Sequence, residues 1–170
     1  MRVLGIDPGT ATMGWGIIDR QGSTTRLVDY GVLTSPPELA DHLRLKMLYD
    51  GLMSLFTTFQ PEAASVEKLY FGQNSRTAMV VGQARGIVLL ALALHNVPYI
   101  EMSPAEVKQA VTGYGRADKR QVQLMVQRLL GLREYPRPDD AADALAVAIC
   151  GAETIKFARS SGAIDTGVSP

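Results

Sequence analysis

Four acids stand in settings that do not suit an ordinary surface carboxylate. Asp7 ends the short, mainly apolar stretch that opens the chain, and Glu67 follows Ala63-Ala64-Ser65-Val66 and precedes Leu69-Tyr70-Phe71. Asp143 lies inside Ala141-Ala142-Asp143-Ala144-Leu145-Ala146-Val147-Ala148-Ile149, and Asp140, three residues earlier, shares its face on a helix. A carboxylate among such neighbours needs a cation, a metal or a strong donor, because an unpaired buried charge is costly. Oxygen ligands without His or Cys suit hard ions such as Mg2+ or Mn2+. Two such ions about 4 Å apart activate a water and stabilise the leaving oxygen in phosphodiester hydrolysis, with no protein nucleophile. The two histidines, His42 and His95, form no Ser/His/Asp or Cys/His arrangement and read as structural or solvent-facing. Taken singly, some of the acids have plainer uses. Asp7 before Pro8-Gly9 suits a turn, and Asp139 or Asp140 after Pro138 suits a helix cap.

The cations are distributed unevenly. The formal net charge is zero, yet residues 68–137 hold ten Lys and Arg against four acids, while the remainder holds seven against thirteen. Lys68, Arg76 and Arg85 occur with no acid between them, and Lys108, Arg116, Lys119 and Arg120 flank the loop Gly113-Tyr114-Gly115. Glycine-rich turns let amides and cations approach phosphates. Ordinary solvated helix faces account for such residues equally well. Tyr70 and Phe71, before Gly72, offer a surface on which a base can stack, or alternate between core and solvent.

The elements that must position these residues follow from periodicity and breakers. Arg2–Ile6, Gly14–Asp19 and Thr24–Leu33 read as an antiparallel three-strand meander, with turns at Pro8-Gly9 and over Arg20–Ser23. Leu39, Leu43, Met47, Leu48, Leu52 and Leu55 mark an amphipathic helix over Pro37–Phe59, ended by Pro61. Ala63–Val66, ending at Glu67, reads as a buried fourth strand. A helix over Asn74–Leu94 carries Gly82 and Gly86 on one face, and Val97–Glu101 reads as a fifth strand. Ser103-Pro104-Ala105-Glu106 is a helix start, Asp118 caps a helix running to Leu130, and a last helix begins near Asp139. The expectation is an α/β domain with a five-stranded mixed sheet flanked by helices, Asp7 and Glu67 at strand ends and Asp140 and Asp143 in a helix's first turns.

With 170 residues, 46% of them apolar, the chain supports one core and one domain, expected over residues 1–158, with 159–170 as a flexible tail. Cys150 is the single cysteine, which excludes an internal disulfide and fits a reducing cytoplasm. The longest apolar run, Ile87–Leu94, is far short of the roughly 20 residues of a membrane span, so neither signal peptide nor membrane segment is expected.

Gly5-Ile6-Asp7-Pro8-Gly9-Thr10, Val66-Glu67-Lys68-Leu69-Tyr70, Gly82-Gln83-Ala84-Arg85-Gly86 and Asp140-Ala141-Ala142-Asp143-Ala144-Leu145-Ala146 together resemble the RuvC family of crossover junction endodeoxyribonucleases. The resemblance runs from residue 2 to about residue 150, in order and at the family's spacing. It implies a ribonuclease H-like fold, a homodimer, and paired symmetric nicks across a four-way (Holliday) DNA junction in recombination and repair. It further implies Mg2+ or Mn2+, two ions per site, held by Asp7, Glu67, Asp140 and Asp143, and a branch-migration partner, RuvA-RuvB. Asp140 rather than Asp139 takes the ligand role because Asp-Ala-Ala-Asp fits its spacing from Asp143. Lys108 and Lys119 match basic positions near the scissile phosphate, and Tyr70 an aromatic that stacks near the exchange point. The helix carrying Gly82 and Gly86 is the candidate dimer element.

Asp7-Pro8-Gly9-Thr10 also resembles the first phosphate loop of actin-like and sugar-kinase ATPases, although those proteins clamp nucleotide between two domains. The motifs are compatible, too, with a non-catalytic junction-binding protein of the same fold, or with a related nuclease-like domain acting on another nucleic acid.

Overall fold

The structure, a computed structural model, describes residues 1–68 and 75–160, with side chains throughout except at 75–78 and 156–160. Tyr70, Phe71, the first residue of the helix expected from Asn74, and the tail expected from residue 159 therefore lie wholly or largely outside the described residues, as does the side chain of Arg76.

The chain runs β1 (Arg2–Asp7), β2 (Thr12–Gln21), β3 (Thr24–Thr34), α1 (Asp41–Phe59), β4 (Ala63–Glu67), α2 (Ser75–Leu94), β5 (Tyr99–Met102), α3 (Pro104–Thr112), α4 (Lys119–Leu129) and α5 (Asp139–Ser160). The sheet order is β3-β2-β1-β4-β5, antiparallel across the meander and parallel from β1 to β4 and from β4 to β5. This is the mixed sheet the sequence predicts. Among the described residues no helix is long and apolar enough to cross a membrane.

Boundaries differ from expectation where local chemistry overrides hydrophobic spacing. The β2-β3 connection is only Gly22-Ser23, with Gly22 at φ 59°, so pairing extends to Gln21 and Thr24. Leu39 belongs to a turn closed by its N–H on the Pro36 carbonyl, and α1 starts at Asp41, four residues after the expected Pro37. Pro98 has no N–H to give a ladder; its carbonyl accepts from the Ala64 N–H at 2.9 Å, and β5 proper starts at Tyr99.

Alternation along the strands sorts the core into two layers. Leu4, Ile6, Ala64 and Val66 face α1 and α2, packing with Leu48, Leu52, Val88 and Leu92. Val3 and Ala63 face the opposite layer, formed by α3, α4 and α5. Asp7 and Glu67 continue the second set, so both carboxylates emerge on the α5 side.

Helix α5 lies with its backbone directly on the sheet. A Cβ on Gly5 would sit 2.2 Å from the Ala144 carbonyl oxygen, and one on Gly14 would sit 2.0 Å from that of Asp140. These strand positions admit only glycine because the helix main chain fills the space of a side chain. From Ala141 to Ala148 every residue except Asp143 is fully buried. Gly5→Ala is accordingly expected to destabilise the fold by ~3 kcal/mol, because the contact is with backbone that cannot rotate away. Thermal denaturation measures this, and an unchanged melting temperature would contradict the seating of α5.

Candidate active site

Register brings the first two acids together. Ile6 pairs with Val66 in the parallel β1-β4 ladder, so Asp7 and Glu67 are the next residues on adjacent strands, both at the carboxyl ends. Asp7 in turn pairs with Gly14, the glycine that abuts the Asp140 carbonyl. The start of α5 is thereby fixed above the strand ends, and Asp140 and Asp143 act electrostatically on Asp7. The four sequence-predicted acids thus form one cluster, drawn from β1, β4 and α5.

Their electrostatics show how closely they are forced together. Burial, reinforced by Asp143 and Asp140, raises the Asp7 pKa to about 6. Burial also raises Glu67, with the Asp7 charge and a hydrogen bond to Asp7 adding to it, to about 8. Burial and mutual repulsion thus favour one proton shared between the Asp7 and Glu67 carboxyls. Burial raises Asp143 as well, against the opposing pull of Lys119.

Lys119 is the cation nearest the acids. It is the first residue of α4, whose start is fixed by a capping box between Asp118 and Gln121. Its ammonium lies 3.2 Å from Asp143 Oδ2 and 3.2 Å from Asp139 Oδ2. Partial burial alone would lower its pKa; the two carboxylates outweigh this and raise it. Lys108, on α3, acts on Glu67 from the other side. Helix α3 is itself anchored by a Ser103-Glu106 capping box, and the hydrogen bonds from Ser103 hold Glu106 below its usual range. Glu67, Lys108, Lys119 and Asp143 share a cavity of about 200 Å³. Across the start of α5, Asp139 and Asp140 border an open groove of about 730 Å³ with Gln123, Tyr135 and Arg137.

Other sequence-predicted positions are placed differently. Arg116 and Arg120 are exposed beside the Gly113 turn and the first turn of α4, and among the described residues no ion pair joins either to the acids. Arg85 is paired: its guanidinium donates to Glu101 on β5, from Nε at 2.9 Å and also from Nη2. Lys68 lies 3.8 Å from Glu106. Sequence reasoning placed Asp139 beside the motif but missed its bond to Lys119, twenty residues away, and the Gln123 amide that donates to its other oxygen at 2.9 Å. Their only signal in the sequence was the doubled acid after Pro138.

Among the described residues no three carboxylate, His or Cys side chains close into a ready-made cage. The repulsion is instead relieved by a proton shared between Asp7 and Glu67 and by the Lys119 ammonium on Asp143. The donor set is nonetheless of one kind, carboxylate oxygens converging on the end of the sheet, which fits a hard divalent ion and no soft one.

The raised carboxylates carry a stability signature. The folded chain binds protons at Asp7 and Glu67 that the unfolded chain has released, so stability falls as pH rises from ordinary carboxylate values through about 6 and about 8. The lowered groups, Asp19, Glu106 and Asp139, contribute in the opposite sense, but that contribution is complete once all three are ionised, at the acid end of this window. In chelator, the melting temperature is expected to drop between about pH 5 and about pH 9, and Glu67→Gln to recover ~1 kcal/mol or more at the alkaline end, roughly 2–4 °C for a domain of this size. Parallel profiles for the two proteins would remove Glu67 from the shared-proton pair.

Comparison with known proteins converges on one family. Residues 3–151 match the family described as Crossover junction endodeoxyribonuclease RuvC. The protein of that name from Chloroflexus aggregans is 59% identical over 154 residues, covering 91% of this chain and 94% of the relative. That from Rubrobacter xylanophilus is 52% identical over 160 residues, covering 94% and 89%. The structure of T. thermophilus RuvC in complex with Holliday junction substrate superposes with a TM-score of 0.87 at 37% identity, covering 92% of this chain and 96% of that one. The ribonuclease H-like fold implied by the motifs is thereby shown, and the ATPase reading of Asp7-Pro8-Gly9-Thr10 is set aside. With its four acids on the α5 side of the sheet and relatives matched over nearly their whole length, the chain belongs to the RuvC family of crossover junction endodeoxyribonucleases.

Proposed function

We propose that this enzyme resolves four-way DNA junctions through Asp7, Glu67, Asp140 and Asp143 acting as the ligands of Mg2+ or Mn2+, two ions per site. The observation that carries the assignment is the meeting of Asp7 and Glu67, on adjacent strand ends, with the first turn of α5. Divalent ions held by these four acids would supply Lewis acidity toward the scissile phosphate. The protein's own part is positioning. Asp7 and Glu67 are held by strand register, Asp140 and Asp143 by the seated helix, so the ligands need little reorganisation. Holding a cation requires Glu67 to release its proton and Lys119 to leave Asp143.

Lys108 and Lys119, on either side of the cavity, then face the charge that develops on the scissile phosphate. Arg116 and Arg120 supply backbone-phosphate contacts from the exposed turn, and the same reading gives Arg76 a phosphate contact and Tyr70 and Phe71 a stacking role. Recognition rests on junction shape and phosphates, so affinity falls with salt. The relative from T. thermophilus is described in complex with a Holliday junction substrate, which supports the same substrate here. The protein works in the cytoplasm, with RuvA-RuvB as the partner expected on the junction.

A two-fold junction presents equivalent strands to two identical sites, which favours a homodimer. Helix α2 supplies a suitable face. Met79, Leu90 and Leu94 are 64%, 52% and 59% exposed, large values for apolar side chains, and a Cβ at Gly86 between them would meet nothing within 4 Å. Such an apolar stripe, with a glycine where a second helix can approach, suits self-association.

Two experiments test this reading. Asp7→Asn is expected to abolish strand-resolved nicking of an immobile junction, by more than the roughly 10–100-fold typical of a supporting residue, while gel-shift affinity for the junction is retained; normal nicking would sink the assignment of Asp7. Leu90→Glu is expected to convert the protein from dimer to monomer in analytical ultracentrifugation and to uncouple the paired cuts, and an unchanged sedimentation coefficient would move the interface elsewhere.

A further inference from the structure

Asp139 stands next to the catalytic motif and outside it, and its surroundings give it a separate task. Its Oδ2 lies 3.2 Å from the Lys119 ammonium, the same distance as Asp143 Oδ2. Its Oδ1 accepts from the Gln123 amide at 2.9 Å, which turns the other oxygen toward Lys119. Gln123 is one helical turn after Lys119, so α4 supplies both the ammonium and the brace for the carboxylate that binds it.

This placement makes little sense as a stability device. The Asp139 side chain is 61% exposed, and exposed ion pairs contribute little. Lys119 also occupies the first turn of α4, where the helix dipole disfavours a cation. What the arrangement does accomplish is to give one ammonium two equivalent anchors, one inside the metal-ligand set and one outside it.

We propose that Asp139 is a positioning residue that takes over Lys119 when Asp143 turns to a divalent cation. Without Asp139, Asp143 is the carboxylate still ion-paired with the ammonium among the described residues, and Lys119 competes with the cation for it. With Asp139 present, Lys119 pivots from a shared position to the outer anchor and stays beside the cavity, where a phosphate arrives. The inference rests on the reading of Asp143 as a metal ligand, and it predicts that the effect of Asp139 on cation binding runs through Lys119.

The test is a double-mutant cycle on the full-length protein, read by electron paramagnetic resonance of free Mn2+ without DNA. Asp139→Asn is expected to weaken Mn2+ binding about three- to tenfold, within the range of coupling between groups in contact. Lys119→Met is expected to tighten it, by removing the competing ammonium. On the Lys119→Met background, Asp139→Asn is expected to change Mn2+ affinity less than about twofold, the residue of a simple charge effect. Equal losses on the two backgrounds would show that Asp139 acts only as a negative charge, and no loss on either would show that it does nothing; both overturn the proposal. A wild-type protein that binds no Mn2+ would instead overturn the metal reading on which the proposal stands. Melting temperatures of all four proteins within a few degrees of one another keep the comparison free of unfolding.

Discussion

The contact between the α5 main chain and the glycines of β1 and β2 is the constraint from which the rest of the molecule follows. Where Gly5 and Gly14 stand, a helix carbonyl occupies the volume of a side chain. The seam is therefore backbone against backbone, and neither partner can yield by changing rotamer. Alanines on α5 complete the seal, since a larger residue would lift the helix off the sheet. A close seam is also an accurate one. It sets the height and rotation of α5, and with them the carboxylates of its first turns relative to two strand ends whose spacing is already fixed by hydrogen bonds.

That accuracy works against electrostatics. Four carboxylates at the end of one sheet repel, and burial makes the repulsion larger. The fold answers with two kinds of positive charge: a proton kept on Glu67 and shared with Asp7, and an ammonium from α4 set against Asp143. Together these charges offset part of the repulsion that burial intensifies.

Much of this was legible from residue order. The meander, the alternation of helix and strand, and the carboxylates at the ends of β1 and β4 could be read because each depends on local pattern: a turn after Asp7, an apolar run before Glu67, small residues around Asp143. The family motifs joined these into one expected site, and the register of β1 with β4 sets Asp7 beside Glu67. What escaped is governed by distant contacts. Arg85 stood in sequence with no acid near it because Glu101, its partner sixteen residues on, belongs to β5. Asp139 read as a surplus acid or a cap for the same reason, its partners Lys119 and Gln123 belonging to a different helix. Strand ends shifted where a proline or a two-residue turn decided the hydrogen bonding, which hydrophobic spacing does not register.

The order in which the chain supplies its carboxylates has a consequence for synthesis. Asp7 stands on β1 and Asp140 and Asp143 on α5, so the cluster closes through a contact between elements far apart in sequence order. A ribosome-bound fragment can build the meander and even add β4, but it lacks half the carboxylates and the helix that covers the sheet. The four acids therefore come together only when α5 seats on the glycines of β1 and β2, and folding of the meander alone cannot assemble them.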